Sequence, residues 1–263
     1  AEEWHSSFYT ESMIVERLAR LGYASIGVVY MIVGGFAVAG STAGHGDAFA
    51  FILDQPFGKV ILAIIALGLA GYMLWRFISA VTDTENRGSD AKGVGVRIGS
   101  FFRGLVYGVL TIEVVRMIAN GGGGGEGEDQ RAQHWTARLM DAPFGRWLVA
   151  AVGLGIVLYG AYQLYAAWDA KLSKRLSLGR MDDRVRRKVV AVSRFGIGAR
   201  GVVFFVIGGS LVLAAFRHNP SAAHGTTGAL GELPQPMLVA VGLGLAAYGV
   251  YALVNAKYRR ITA

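Results

Sequence analysis

The sequence predicts an all-α integral membrane protein, with six transmembrane helices built as three repeated two-helix hairpins in a pseudo-threefold arrangement. Three observations predict it. Six apolar runs each approach the roughly 20 residues needed to cross about 30 Å of hydrocarbon. Of the 263 residues, 53% are hydrophobic and only 17% charged, where soluble domains carry about 25% charged residues. The odd-numbered runs share one set of spaced motifs and the even-numbered runs another, which is the signature of a repeat architecture.

The runs cover residues 22–40, 57–80, 101–119, 144–167, 195–216 and 237–256. They are continuous rather than alternating, which disfavours the strands of a membrane β-barrel. Each odd run opens alike: Arg20-Leu21-Gly22 then Gly27-Val28-Val29-Tyr30, Arg97-Ile98-Gly99 then Gly104-Leu105-Val106-Tyr107, and Arg194-Phe195-Gly196 then Gly201-Val202-Val203-Phe204. Each even run begins at a proline, in Pro56-Phe57-Gly58, Pro143-Phe144-Gly145 and Pro236-Met237-Leu238. Proline suits a first helical turn, where its missing N–H is not needed. The third copy lacks the Phe-Gly pair, so its turn is expected to differ. Each even run then carries Gly-x-x-x-Tyr-x-x-aromatic: Gly68, Tyr72 and Trp75; Gly155, Tyr159 and Tyr162; Gly244, Tyr248 and Tyr251. These positions fall on one helix face. In lipid, where no hydrophobic drive pulls helices together, small residues let backbones approach and gain van der Waals contact. The repeat packing motif is therefore read as Gly27, Tyr30, Gly104, Tyr107, Gly201, Phe204, Gly68, Tyr72, Gly155, Tyr159, Gly244 and Tyr248.

The organisation that follows is an N-terminal segment at 1–19, hairpin 1 at 20–82, hairpin 2 at 97–170, a basic connection at 171–193 and hairpin 3 at 194–260. The connections inside the hairpins are expected to carry short surface helices at 47–53, 130–140 and 226–233. Asp182 and Asp183 ahead of Arg184-Val185-Arg186-Arg187-Lys188 suggest an N-capped surface helix of their own.

The Gly-x-x-x-x-Gly-Val-Val-Tyr opening, the Gln55-Pro56-Phe57-Gly58 turn and the Lys257-Tyr258-Arg259-Arg260-Ile261 tail resemble the domain-of-unknown-function 1206 family. Those are bacterial membrane proteins, typically with three such hairpins. The resemblance runs from about Arg17 to Ile261. It implies this fold and supplies no activity.

Lys and Arg number 26 against 18 Asp and Glu, a net charge of +8. Their distribution points to a membrane and not to nucleic acid. Most cluster around the N-terminus, the second and fourth connections and the C-terminus, including Arg76, Arg103 and Arg200 at the adjoining ends of runs. Only Lys59, Arg116, Arg131, Arg138, Arg146 and Arg217 fall on the other side. Cations near span ends accumulate on the cytoplasmic side, so both termini are expected in the cytoplasm of a bacterial cell. Acidic Glu2, Glu3, Glu11 and Glu16 ahead of the first run do not suit a cleaved signal peptide.

Chemistry is sparsely signalled. The chain has no cysteine, so disulfides and thiolate metal sites are excluded. Glu113 is the carboxylate set deepest in a run, roughly 9 Å from the outer end of its helix. Arg116 lies three residues on, able to pair with it. Intramembrane ionisable residues are functional candidates by default, although self-neutralisation is the plainer reading. His45, His134, His218 and His224 lie in the outer connections at unequal offsets from the prolines, and no metal site or cofactor is expected from them. No nucleophile elbow or phosphate loop is present. The expectation is a non-catalytic scaffold or accessory subunit that meets membrane lipids and another integral membrane protein. The alternative is a small transporter or channel for an ion or small molecule.

Overall fold

A computed structural model describes residues 2–82, 91–121, 127–168 and 182–258. The elements are α1 (Glu2–Val38), α2 (His45–Leu53), α3 (Gly58–Val81), α4 (Ala91–Ala119), α5 (Glu128–Met140), α6 (Gly145–Trp168), α7 (Asp183–Arg217), a 3-10 turn (Pro220–Ala222), α8 (Thr226–Gly231) and α9 (Gln235–Tyr258). No strand occurs among the described residues. Six of these helices, α1, α3, α4, α6, α7 and α9, are long and apolar enough to span a membrane. The short helices α2, α5 and α8 join the two spans of each hairpin.

The fifth span differs from expectation. The residues expected to form a separate surface helix are the first turns of α7 itself, which runs unbroken for 35 residues, about 52 Å. Asp182 stands at its N-cap without a side-chain capping bond. Basic residues at 171–181 and 259–260, and most of the glycine run at 122–126, lie outside the described residues.

The prolines also behave differently from a simple helix start. In hairpins 1 and 2 the helix begins two residues after the proline, behind a left-handed phenylalanine, Phe57 at φ 63 and Phe144 at φ 61. A non-glycine residue there is uncommon. The glycine that follows is required by crowding: a Cβ on Gly58 would strike the Ile52 and Leu53 carbonyls, and one on Gly145 the Leu139 carbonyl. In hairpin 3, without Phe-Gly, α9 starts at Gln235 and takes Pro236 into its first turn, the position that proline favours.

The chain forms two compact units. One comprises Ala1–Gly27, Phe51–Gly123 and Ala252–Ala263; the other comprises Val28–Ala50 and Gly124–Tyr251. In the first, α1 lies backbone-close on α3: a Cβ on Gly68 would meet Ser25 and Leu21, and one on Gly71 would meet Leu18. The α4 helix packs on α3 differently, with the Phe77 ring seated over Gly104 and the Met73 sulfur over Gly108. In the second unit glycine meets glycine. Gly34 of α1 abuts Gly242 of α9, while Gly208 and Gly201 of α7 abut Gly153 and Gly160 of α6. Such close approaches give van der Waals contact where lipid supplies no hydrophobic drive.

Two contacts recur three times, each joining an even span to an odd one. The first is aromatic and edge-on. Tyr72 meets Tyr107 at 4.7 Å, Tyr159 meets Phe204 at 5.2 Å and Tyr248 meets Tyr30 at 4.8 Å between ring centroids. The second is a helix C-cap. Arg97 donates to the carbonyls of Ala80 and Val81, Arg194 to those of Ala167 and Trp168, and Arg20 to those of Ala256 and Lys257. The last four carbonyls of a helix lack partners inside it, and arginine satisfies two at once while matching the negative end of the helix dipole. The third member of each set joins the last span to the first.

Candidate functional site

Polar groups concentrate in the second unit, where the three short helices present their N-termini to two carboxylates. Gly127 ends a glycine-rich stretch and lets α5 start with Glu128 and Asp129 in its first turn. Anions belong there because four N–H groups are unsatisfied at a helix start. These two side chains also serve neighbouring helices. The Glu128 Oε1 accepts from the backbone N–H of His45 at 2.6 Å and of Gly46 at 3.1 Å, and its Oε2 accepts from that of Thr226 at 3.1 Å. The Asp129 Oδ1 accepts from Gly225 at 2.6 Å and Gly228 at 3.0 Å. One helix from hairpin 2 thus supplies the anions, and helices from hairpins 1 and 3 supply the N–H groups. Small residues make this possible: a Cβ on Gly44 or Gly225 would meet Glu128.

Electrostatics follow from this geometry. The Glu128 side chain is 13% exposed. Burial alone raises its pKa. The hydrogen bond and charge of His45 outweigh that, helped by the Gly46 N–H and Thr226, and hold the carboxyl down at about 2. The His45 Nδ1 lies 3.3 Å from Glu128 Oε1 and 3.3 Å from Thr226 Oγ1. Its ring stands edge-on to Tyr30 at 5.2 Å. Of the other histidines, His224 approaches Glu232 at 3.5 Å and His218 contacts Arg146 at 3.0 Å.

Below His45 the polar groups continue. Arg200, 8% exposed, stands 5.4 Å from the Tyr30 ring centroid and donates to the Tyr248 hydroxyl at 2.5 Å. Its guanidinium stands 4.7 Å from the Tyr248 ring centroid and 4.9 Å from that of Phe204. Tyr248 is 13 residues into α9, so this cation sits near the middle of a span, about 20 Å from the helix start. Glu128, His45, Tyr30, Arg200 and Tyr248 form one continuous series, joined through ring contacts at Tyr30 and polar contacts at either end. A second buried cation occupies the first unit. Arg76, 3% exposed, donates to Tyr72 at 2.6 and 2.9 Å and to Tyr23 at 3.3 Å. It also lies 4.2 Å over Trp75, a geometry that attracts cations.

These arginines correct the sequence reading, which counted them among the charges at span ends. Their signal was available: Arg76 follows Tyr72 by four residues, one helical turn along the motif face. The hub was signalled too, by acidic residues next to glycines and by glycine before each short helix. Of the residues singled out from sequence, Glu113 is half-buried in α4 and Arg116 is exposed one turn on. The motif residues Gly27, Gly68, Tyr72, Gly104, Tyr107, Gly201 and Gly244 are buried; Tyr30 is buried as well, and Tyr159, Phe204 and Tyr248 are half-buried. Gly155 is the exception. It is exposed, with no atom within 4 Å of a Cβ placed on it.

The family model described as Domain of Unknown Function (DUF1206) matches three times, over residues 21–83, 98–170 and 195–259. The chain belongs to this family. Each match covers one hairpin, so the DUF1206 unit is the two-helix repeat. The Uncharacterized protein YxxB of Bacillus subtilis (strain 168) is 31% identical over 258 residues, 94% of this chain and 92% of its own length. No solved structure matches this DUF1206 protein significantly.

Proposed function

We propose that this multi-pass membrane protein is a non-catalytic scaffold or accessory subunit, and that hairpin 2 carries the face that meets another integral membrane protein. The observation that carries the reading is Gly155. Its counterparts Gly68 and Gly244 are each packed against an odd span, at Ser25 and Ala199. Gly155 meets nothing in its own unit. A glycine facing lipid gains no packing, whereas one facing a foreign helix does. Spans 3 and 4 are also the least buried, at 22% each against 39–56% for the rest. Extraction in gentle detergent followed by native gel and mass spectrometry tests the reading. A partner of fixed stoichiometry, lost on Gly155→Leu while the chain stays folded, supports it. Migration of the chain alone in native extracts would overturn it.

A second reading, movement of protons or a small ion, is favoured by the Glu128–His45–Tyr30–Arg200–Tyr248 series. Proton-coupled flux in liposomes that survives both Glu113→Gln and His45→Gln would remove those residues from such a path.

We place the protein in the bacterial cell membrane with both termini cytoplasmic, on the strength of its basic connections. The absence of cysteine makes single-cysteine variants clean reporters. Labelling of Gly179→Cys by an impermeant thiol reagent from outside intact cells would reverse that orientation.

A further inference from the structure

We propose that the N-terminal extension of α7 is a docking surface for anionic phospholipid headgroups, through Arg184, Arg187 and Lys188. Three observations on this helix support it. Its level is fixed: Arg194 bonds the last carbonyls of α6 at Ala167 and Trp168, and Trp168, 84% exposed, is the residue type that sits at headgroup depth. Arg184 to Lys188 precede Arg194 by six to ten residues in one unbroken helix, which puts their Cα atoms about 9 to 15 Å beyond that level. Headgroup layers extend about 5 to 7 Å past the hydrocarbon on each side, and long basic side chains reach back toward it.

The direction is fixed as well. Arg184, Arg187 and Lys188 stand at i, i+3 and i+4 and so share one face. All three are exposed. Ser193, 1% exposed, marks the packed side of α7, roughly 120° to 180° around the helix from them. The stripe therefore faces away from the side on which α7 packs in its own unit. Arg186 lies on the other side of the helix. Asp182, exposed at the N-cap, offsets part of the charge at the far end, leaving the cations nearest the bilayer.

The charge complementarity favours the lipid surface over an acidic soluble protein, because the Cα atoms of Arg187 and Lys188 fall within a Debye length, about 8 Å, of a headgroup layer and the long Arg184 side chain reaches back into that range. Each cation near an anionic surface contributes about 1 kcal/mol, so three give roughly a 100-fold preference.

The test titrates the purified full chain with mixed phosphatidylglycerol and phosphatidylcholine and counts bound lipids by native mass spectrometry. The wild type should retain phosphatidylglycerol preferentially. The triple variant R184Q/R187Q/K188Q should lose about 100-fold of that preference with an unchanged unfolding midpoint. The variant R184K/R187K, which keeps the charge, should retain it. The control K59Q/R138Q/R217Q removes equal charge from exposed positions elsewhere and should keep the preference. Equal loss in the control would overturn the assignment to this stripe. An unchanged preference in R184Q/R187Q/K188Q would also overturn it and transfer the stripe to an acidic protein surface.

Discussion

Glu128 reaches His45 twice, taking its backbone N–H at 2.6 Å and lying 3.3 Å from its ring Nδ1. The carboxylate does for α2 and α8 what an N-cap side chain does for its own helix. Glu128→Gln keeps one acceptor oxygen for the N–H groups of His45, Gly46 and Thr226 but loses the charge and turns an NH2 group toward donors. Bonds to charged groups contribute about 1.5–3 kcal/mol, and a buried donor left unmet costs about 1–3 kcal/mol. Glu128→Gln should therefore destabilise the second unit by about 2 kcal/mol, read as a lower thermal midpoint in detergent. An unchanged midpoint would mean that water replaces the carboxylate at little cost.

The depressed pKa carries a pH dependence of defined sign. Glu128 is held at about 2 in the folded chain against an ordinary value of 4.5, so the folded state binds its proton less readily. Its contribution is complete above about 4.5 and is lost as pH falls through about 2. The difference corresponds to something of the order of 3 kcal/mol. His45, Asp129 and Asp47 stand beside this carboxylate as well. The contribution of Glu128 is thus isolated as the difference between wild type and Glu128→Gln, which should shrink between pH 4.5 and pH 2. A difference constant across that range would show that Glu128 is not held as an anion.

The repeats were legible because identical spacings had to place equivalent residues on equivalent faces. Tyr72, Tyr159 and Tyr248 could be aligned before any contact was known. Which face met which helix was not legible, since a 3.6-residue period names a face and no partner. Hence the pairing of Tyr248 with Tyr30, across 218 positions of sequence, came only from the structure. Arg76 and Arg200 were misplaced because hydropathy counts charge without seeing the tyrosine hydroxyls that receive it. At the hub the acidic and glycine residues were visible in sequence, but their partners were not. Glu128 and Asp129 fall just ahead of the short helix expected at 130–140, and nothing local shows that the N–H groups they take belong to His45 and Gly225.

The Arg200–Tyr248 contact yields a prediction inside the membrane span. Tyr248→Phe keeps the ring that faces the guanidinium and removes the acceptor at 2.5 Å. The loss should be about 1.5–3 kcal/mol, the range for a hydrogen bond to a charged group. Arg200→Met should be milder than Arg200→Ala, because methionine refills the space without leaving a cavity. Unfolding titrations in mixed micelles would rank the three. A harmless Tyr248→Phe would show that the cation–ring geometry alone holds Arg200.

The capping arginines test whether the threefold set acts as three equivalent joints. Arg20, Arg97 and Arg194 each satisfy two helix-end carbonyls. Replacement by glutamine should cost about 1 kcal/mol at each position. Similar losses at all three would make the joint between the last span and the first equal to those within the chain. A silent Arg20→Gln beside costly Arg97→Gln and Arg194→Gln would mean that this joint is weaker than the others.

Adjacent glycines should respond to the same substitution with opposite sign. A Cβ on Gly208 would lie 2.6 Å from the Val157 nitrogen and 2.7 Å from the Gly153 oxygen, whereas one on Gly209 meets nothing within 4 Å. Backbone atoms cannot rotate away, so Gly208→Ala must push α6 from α7, at a cost of about 1–3 kcal/mol by analogy with overpacked cores. Gly209→Ala adds a methyl to open space and removes a flexible residue from a helix interior, a gain of up to about 1 kcal/mol. Hairpin 1 repeats the experiment. A Cβ on Gly34 would lie 2.5 Å from the Ala246 nitrogen and 2.6 Å from the Gly242 oxygen, while Gly35 is open. Gly34→Ala should destabilise and Gly35→Ala should not. Thermal midpoints of the four variants decide the matter, because residue type, substitution and membrane depth are matched within each pair. Equal effects at neighbouring positions would mean that the spans are not packed through the Gly34 and Gly208 faces.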